Sequence, residues 1–350
     1  MTLHPLAGHH QVRRRLADAN RSGRLPQVLL VTGPAGVGKQ RLALWLGQLL
    51  LCERPAEEPC GACRACRLVL ELGHADLHWF APIPRLKAGE ADRQVEEAAE
   101  LLAELMTERR EQPWYGPADG MSSHPLASAR LLLRRASLTP VEGARKVFIV
   151  GEAERLVPQE SSPDAANALL KLLEEPPADT WIVLTTTEPE RVLPTIRSRA
   201  VPLRLARLAD SEVRAFAQAQ LRPVPGTAEL EQLVRGAEGA IGALVGRGDA
   251  AAKAAGEARA LLDAIAGGRA ARLERSLKQA PWSARGGFTD LLDALAVELA
   301  ERARRAPDRE AVARLTAGLE RLRAARAEAQ GNGNPQLLLA TLTGELAEVL

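Results

Sequence analysis

A short apolar run at residues 27–32 feeds into Gly33, Pro34, Ala35, Gly36, Val37, Gly38 and Lys39, and a helix-periodic stretch follows at 41–51. No other feature of the chain limits its fold as tightly. A strand that turns through glycines into a helix aims successive backbone N–H groups and the positive end of the helix dipole at one point. Phosphate oxygens fit there, and a lysine closing the loop reaches the outer phosphates. Gly33, Gly36, Gly38 and Lys39 are therefore the candidate phosphate-binding residues. A loop of this kind needs a buried parallel strand behind it, so an α/β layer is expected.

The runs at 77–80, 146–150, 181–186 and 201–205 are short, mostly apolar and bounded by turn residues, as strands of a parallel sheet are. They predict an α/β P-loop domain over 1–205. After Leu208 the pattern changes to helical periodicity at 210–220, 228–235, 251–265, 288–304, 310–326 and 336–350, with a Gly-rich break at 246–249. That division predicts a small helical lid at 206–248 and an all-α domain at 249–350, in keeping with two or three domains for 350 residues. Residues 84–123 fit the alternation poorly and read as an insertion. It comprises an acidic helix at 90–111, with Val95, Leu101, Leu102 and Leu105 on its docking face, and then a loop bearing Pro113, Trp114 and Gly116.

With 46 basic and 44 acidic side chains the net charge is +2, so no broad field draws the chain to a phosphate backbone or an acidic membrane. At 3% aromatic content there is little surface on which to stack single-stranded bases. No apolar run approaches the roughly 20 residues a membrane helix requires. Residues 1–8 lack a basic-then-apolar signal pattern, and the cytoplasm is the expected compartment.

All four cysteines, Cys52, Cys60, Cys63 and Cys66, fall in one segment, and the last three are spaced by two residues each. Outside a secretory context that spacing predicts metal rather than disulfides. Four thiolates close a tetrahedron around Zn²⁺ with no position left for a reactive water, so a structural zinc site is expected.

The phosphate loop departs from a working nucleotidase in two places. Gln40 stands where a Ser or Thr hydroxyl would ligate Mg²⁺, and the strand at 146–150 runs into Gly151 where a metal-anchoring Asp belongs, although Glu152 follows. Without either anchor, ATP hydrolysis by this chain is not expected, while the retained Lys39 keeps nucleotide binding open.

Two further segments complete the pattern: Ala165-Ala-Asn-Ala-Leu-Leu-Lys-Leu-Leu-Glu-Glu-Pro-Pro177, an amphipathic helix stopped by two prolines, and Ser198-Arg199-Ala200 after the next strand. With the phosphate loop, the cysteines and Gly73-His74-Ala75-Asp76-Leu77, this order resembles the bacterial DNA polymerase III clamp-loader AAA+ family. The resemblance implies an AAA+ domain, a lid and a C-terminal helical collar. It also implies partners: gamma/tau motor subunits, a delta subunit and, through the complex, the sliding clamp and primed DNA.

Motors of the family pair their lysine with Ser or Thr, keep the Asp, and carry an arginine where Gly242 stands in the stretch 237–244. The departures therefore resemble the family's stator branch, as does a length that ends after one collar domain. In that branch Arg199 would act in trans on a neighbour's γ-phosphate, as an arginine finger does. An autonomous ATPase of the motor type and a zinc-containing nucleic-acid adaptor are the competing expectations.

Overall fold

The computed structural model describes residues 3–112, 122–157, 163–245, 249–279, 285–330 and 334–350. The Pro113, Trp114 and Gly116 loop and most of the Gly-rich break at 246–249 lie outside the described residues. Contacts divide the chain into two compact units, one holding residues 1–118 and 122–245 and the other residues 246–350.

In the first unit five strands, β1 (Val28–Thr32), β2 (Leu77–Phe80), β3 (Lys146–Val150), β4 (Thr180–Thr186) and β5 (Val201–Arg204), form one sheet in the order β2-β3-β4-β1-β5. Every pairing is parallel, with Val28 beside Ile182, Leu77 beside Val147 and Lys146 beside Thr180. β3 is buried along its whole length, which is why its sequence is continuously apolar after Lys146. Alternate side chains serve opposite faces. Leu30, Phe148, Val150, Ile182 and Leu184 pack on one side, and Leu29, Val31, Val147, Ile149 and Val183 on the other. This is the P-loop α/β architecture expected from the strand runs.

The second face is covered by α1 (His10–Arg21) and α2 (Lys39–Leu51). α2 is buried without a break from Leu42 to Leu50, the mark of a central helix rather than an amphipathic one. α3 (Arg64–Leu70) follows it. The first face is covered by α4 (Ala91–Glu111), α5 (Leu126–Ser137) and α6 (Asp164–Glu174). α6 buries Ala165, Ala166, Leu169, Leu172 and Leu173 and stops before Pro176 and Pro177, which lack the N–H that another turn would need. The short α7 (Pro194–Arg197) leads into β5.

The insertion helix α4 docks through the expected Val95 and Leu102, with Leu101 packed against the same core, and its buried stripe also takes in Ala98 and Arg109. Val95, Ala98, Leu102 and Arg109 are buried, whereas Leu101 and Leu105 are only half-buried. The steps 95, 98, 102 and 109 follow a single helical stripe, which an arginine at its end disguised as surface.

Within the same unit α8 (Asp210–Gln220), α9 (Thr227–Ala237) and α10 (Gly242–Val245) enclose a small core of their own around Val213, Phe216, Leu233 and Val234. Among the described residues the regular structure of the second unit is helical: α11 (Asp249–Ala266), α12 (Arg269–Leu277), α13 (Arg285–Arg304), α14 (Arg309–Gln330) and α15 (Pro335–Val349). Leu261, Phe288, Leu292, Leu295, Leu339 and Leu346 form its core. α12 escaped the periodicity reading because Leu273 and Leu277, its leucines, face solvent. No described helix is long and apolar enough to cross a membrane.

Candidate functional site

The phosphate loop joins the end of β1 to the start of α2, as the sequence requires, yet its cationic end is turned inward. Lys39 Nζ donates to the carbonyls of Gly33 at 2.9 Å and Pro34 at 2.7 Å. Burial draws the ammonium down to a pKa of about 8, against the opposing pull of Glu154 and Glu152. Glu154 is itself buried, and its carboxylate accepts from Thr187 Oγ1 at 3.0 Å.

The start of α10 sits directly on this loop. The Gly242 amide donates to Gly36 O at 2.8 Å, and a Cβ on Gly242 would come within 2.5 Å of Gly36 Cα. Backbone meets backbone here, so any side chain at 242, and an arginine above all, has no room unless α10 and the loop separate.

The two departures from a working nucleotidase form one contact. A Cβ added at Gly151 would stand 2.9 Å from Gln40 Nε2 and 3.5 Å from Trp79 Nε1. The Gln40 amide thus lies in the space that a side chain at position 151 would enter. Gly151 is further held by its amide, which donates to Phe80 O at 2.8 Å, and by its carbonyl, which accepts from His124 Nε2 at 2.7 Å. A carbonyl only accepts, so Nε2 carries the proton. Burial keeps His124 neutral, with a pKa of about 4. Glu152 follows in a left-handed conformation (φ 52°), and its carboxylate pairs with Arg155 at 2.9 Å.

Across the indole of Trp79 lies Arg109, its guanidinium carbon 4.2 Å from the ring centroid, so the end of α4 reaches the neighbourhood of Gly151. Sequence reading did not find Trp79, Arg109 or His124. They come from separate segments, and no local signal in the sequence joins them.

Because Gln40 and residue 151 share one space, their substitutions should couple. Gly151→Asp alone is expected to push aside the Gln40 amide, the far end of a flexible side chain, at a cost of about 1 kcal/mol or less. Gln40→Thr in the same chain should recover that cost, read as non-additivity of about 0.5 kcal/mol or more in a denaturation double-mutant cycle. Additive effects would contradict the shared contact.

Cys52, Cys60, Cys63 and Cys66 converge, with all four sulfurs within 4.8 Å of one another. The Cys60–Cys66 and Cys63–Cys52 separations are 3.9 and 4.0 Å, near the ~3.8 Å edge of a tetrahedron with ~2.3 Å metal–sulfur bonds. Backbone amides of Cys60 and Arg54 donate to Cys52 Sγ, that of Cys63 to Cys60 Sγ, and that of Cys66 to Cys63 Sγ. Amides of Ala62 and Cys63 hold the exposed Cys60 thiol down to a pKa of about 6, whereas burial pushes Cys66 up. A donor set of four convergent sulfurs with N–H support suits a soft-to-borderline cation.

The cluster is tied to its surroundings on two sides. Glu58 accepts from Trp45 Nε1 at 2.6 Å and pairs with Arg13 at 2.5 Å. Arg64 on α3 pairs with Glu142 at 2.6 Å. The neighbouring Asp76 accepts from the amides of Val141 and Glu142 at 2.6 and 2.8 Å, which gives the Gly73–Leu77 motif a structural task.

Arg199 lies between α7 and β5 and reaches back to the end of α6. Its Nε and Nη2 donate to Glu174 Oε2 at 3.1 and 2.9 Å, and its Nη1 to Thr195 O at 3.1 Å.

Comparison with known proteins agrees with this geometry. The family model described as DNA polymerase III, delta subunit matches residues 8–209. The chain is 34% identical over 186 residues to DNA polymerase III subunit delta' of Escherichia coli strain K12, covering 53% of this chain and 44% of that protein. It is 30% identical over 193 residues to subunit delta' of Bacillus subtilis strain 168, covering 55% and 46%. Subunit gamma/tau of Mycobacterium tuberculosis H37Rv is 34% identical over 203 residues, 57% of this chain and 28% of that protein. The chain thus spans less than half the length of the curated relatives it matches. A solved gamma subunit-related protein of Thermotoga maritima aligns over 98% of this chain and 99% of its own, with a TM-score of 0.45 at 15% identity.

Proposed function

The chain belongs to the DNA polymerase III delta-subunit family, and on that premise we propose that it is the delta-prime stator of a bacterial clamp loader. In this role it hydrolyses no ATP and polymerises no DNA. It braces gamma/tau motor and delta subunits while the complex places a sliding clamp on primed DNA in the cytoplasm. Residues 206–248 act as its lid and 249–350 as the collar that joins its neighbours. Arg199 serves the adjoining motor's ATP site in trans, where a fixed cation in a dry interface stabilises charge developing on the γ-phosphate.

The observation that carries this reading is Gln40 filling the space over Gly151. With no hydroxyl at Gln40 and no carboxylate at Gly151, both expected anchors for Mg²⁺ are missing, and Gly33, Gly36, Gly38 and Lys39 remain as a cradle without them. For ATP bound in that cradle, Lys39 would exchange its contacts with the loop carbonyls for phosphate oxygens. Cys52, Cys60, Cys63 and Cys66 hold a structural Zn²⁺, which cross-links a segment too short and polar to build a core. The gamma/tau matches raise the motor alternative, and the Gln40–Gly151 contact is what weighs against it. The test is ATP turnover by the chain alone against turnover by the reconstituted loader with and without it.

A further inference from the structure

We propose that Glu174 is the positioning residue for Arg199, an inference that rests on the in-trans reading of that arginine. A guanidinium carries five N–H donors in a planar fork. In Arg199 three are engaged inside the chain: Nε and one Nη2 hydrogen on Glu174 Oε2, and one Nη1 hydrogen on Thr195 O. The count leaves one N–H on each terminal nitrogen, the two-pronged arrangement that meets two oxygens of a phosphate. Anchored on one edge and open on the other, the side chain is set for a ligand that this subunit does not itself bind.

The anchor is well placed to hold a direction. Glu174 is the last residue of α6, just ahead of Pro176 and Pro177, and the leucines of α6 fix the helix in the core. Thr195 lies in α7, where Ile196 is buried. Two separately seated elements therefore grip one side chain. The Arg199 side chain is 30% exposed and that of Glu174 59%, so the pair adds little to stability; its effect is on geometry. A long arginine otherwise samples many rotamers, and a misplacement of about 1 Å in a reacting group can cost about 100-fold in rate.

The experiment uses the reconstituted loader carrying Glu174→Ala, Glu174→Gln, Arg199→Ala or the Glu174→Ala/Arg199→Ala pair in this chain. Glu174→Ala is expected to lower kcat for ATP about 10-fold with KM unchanged, and Glu174→Gln, which keeps an acceptor oxygen, to lower it less. The pair should equal Arg199→Ala alone, because an absent arginine needs no positioning. If Arg199→Ala leaves turnover intact, the in-trans reading fails and this proposal with it. If Arg199→Ala slows turnover but Glu174→Ala is neutral, faster or additive with it, the proposal alone is overturned.

Discussion

Replacing Arg199 by alanine in the assembled loader is expected to slow hydrolysis at the adjoining ATP site about 1000-fold, the low end of what an arginine finger supplies. The chain itself should melt within a degree or two of wild type. The arginine is a third exposed, and its partner Glu174 is more so, so the lost ion pair costs about 0–1 kcal/mol. Arg199→Lys should not restore the rate. An ammonium at the end of a flexible stem cannot keep one planar edge on Glu174 while offering a second edge to phosphate. Single-turnover hydrolysis with the variant chain as the sole change checks both statements. A rate within a factor of two of wild type would remove Arg199 from the reaction.

The second large effect concerns the cysteines. Cys66→Ser should abolish stoichiometric zinc, measured by metal analysis of the purified chain, and lower its melting temperature by about 10 °C. That figure follows from losing on the order of 4 kcal/mol in a domain of this size. Cys66 is fully buried beside Cys63 at the start of α3, where no side-chain core stands ready to replace the metal. Chelation of the wild-type chain should reproduce the shift, and added zinc should reverse it for wild type but not for the variant. A wild-type protein purified without metal, or a variant melting with it, would mean the thiols serve otherwise.

Much of this architecture is readable in the chain because its determinants are local. The strands announce themselves as short, mostly apolar runs, clearest in the central β3, which is buried on both faces, and β2 and β3 have the expected limits. The four-cysteine spacing likewise foretells a convergent cluster. What stayed hidden depends on contacts between distant segments. Gln40 and Gly151 each read as a loss, and nothing local says that the one fills the place of the other. Arg109 looked like solvent-facing charge until the face of Trp79 gave its guanidinium a partner. α3 was concealed by the cysteines, which drew attention to metal geometry over helical phase. The Glu174–Arg199 anchor joins two motifs that the sequence reading treated separately.

The central claim is that a phosphate cradle without seats for magnesium assists a neighbour's chemistry and performs none. The most direct measurement is steady-state ATP hydrolysis with Mg²⁺ by the chain purified alone, beside its Lys39→Ala variant. The account predicts no turnover above background in either. Hydrolysis at about one ATP per second, within the usual range for an enzyme and abolished by Lys39→Ala, would contradict it.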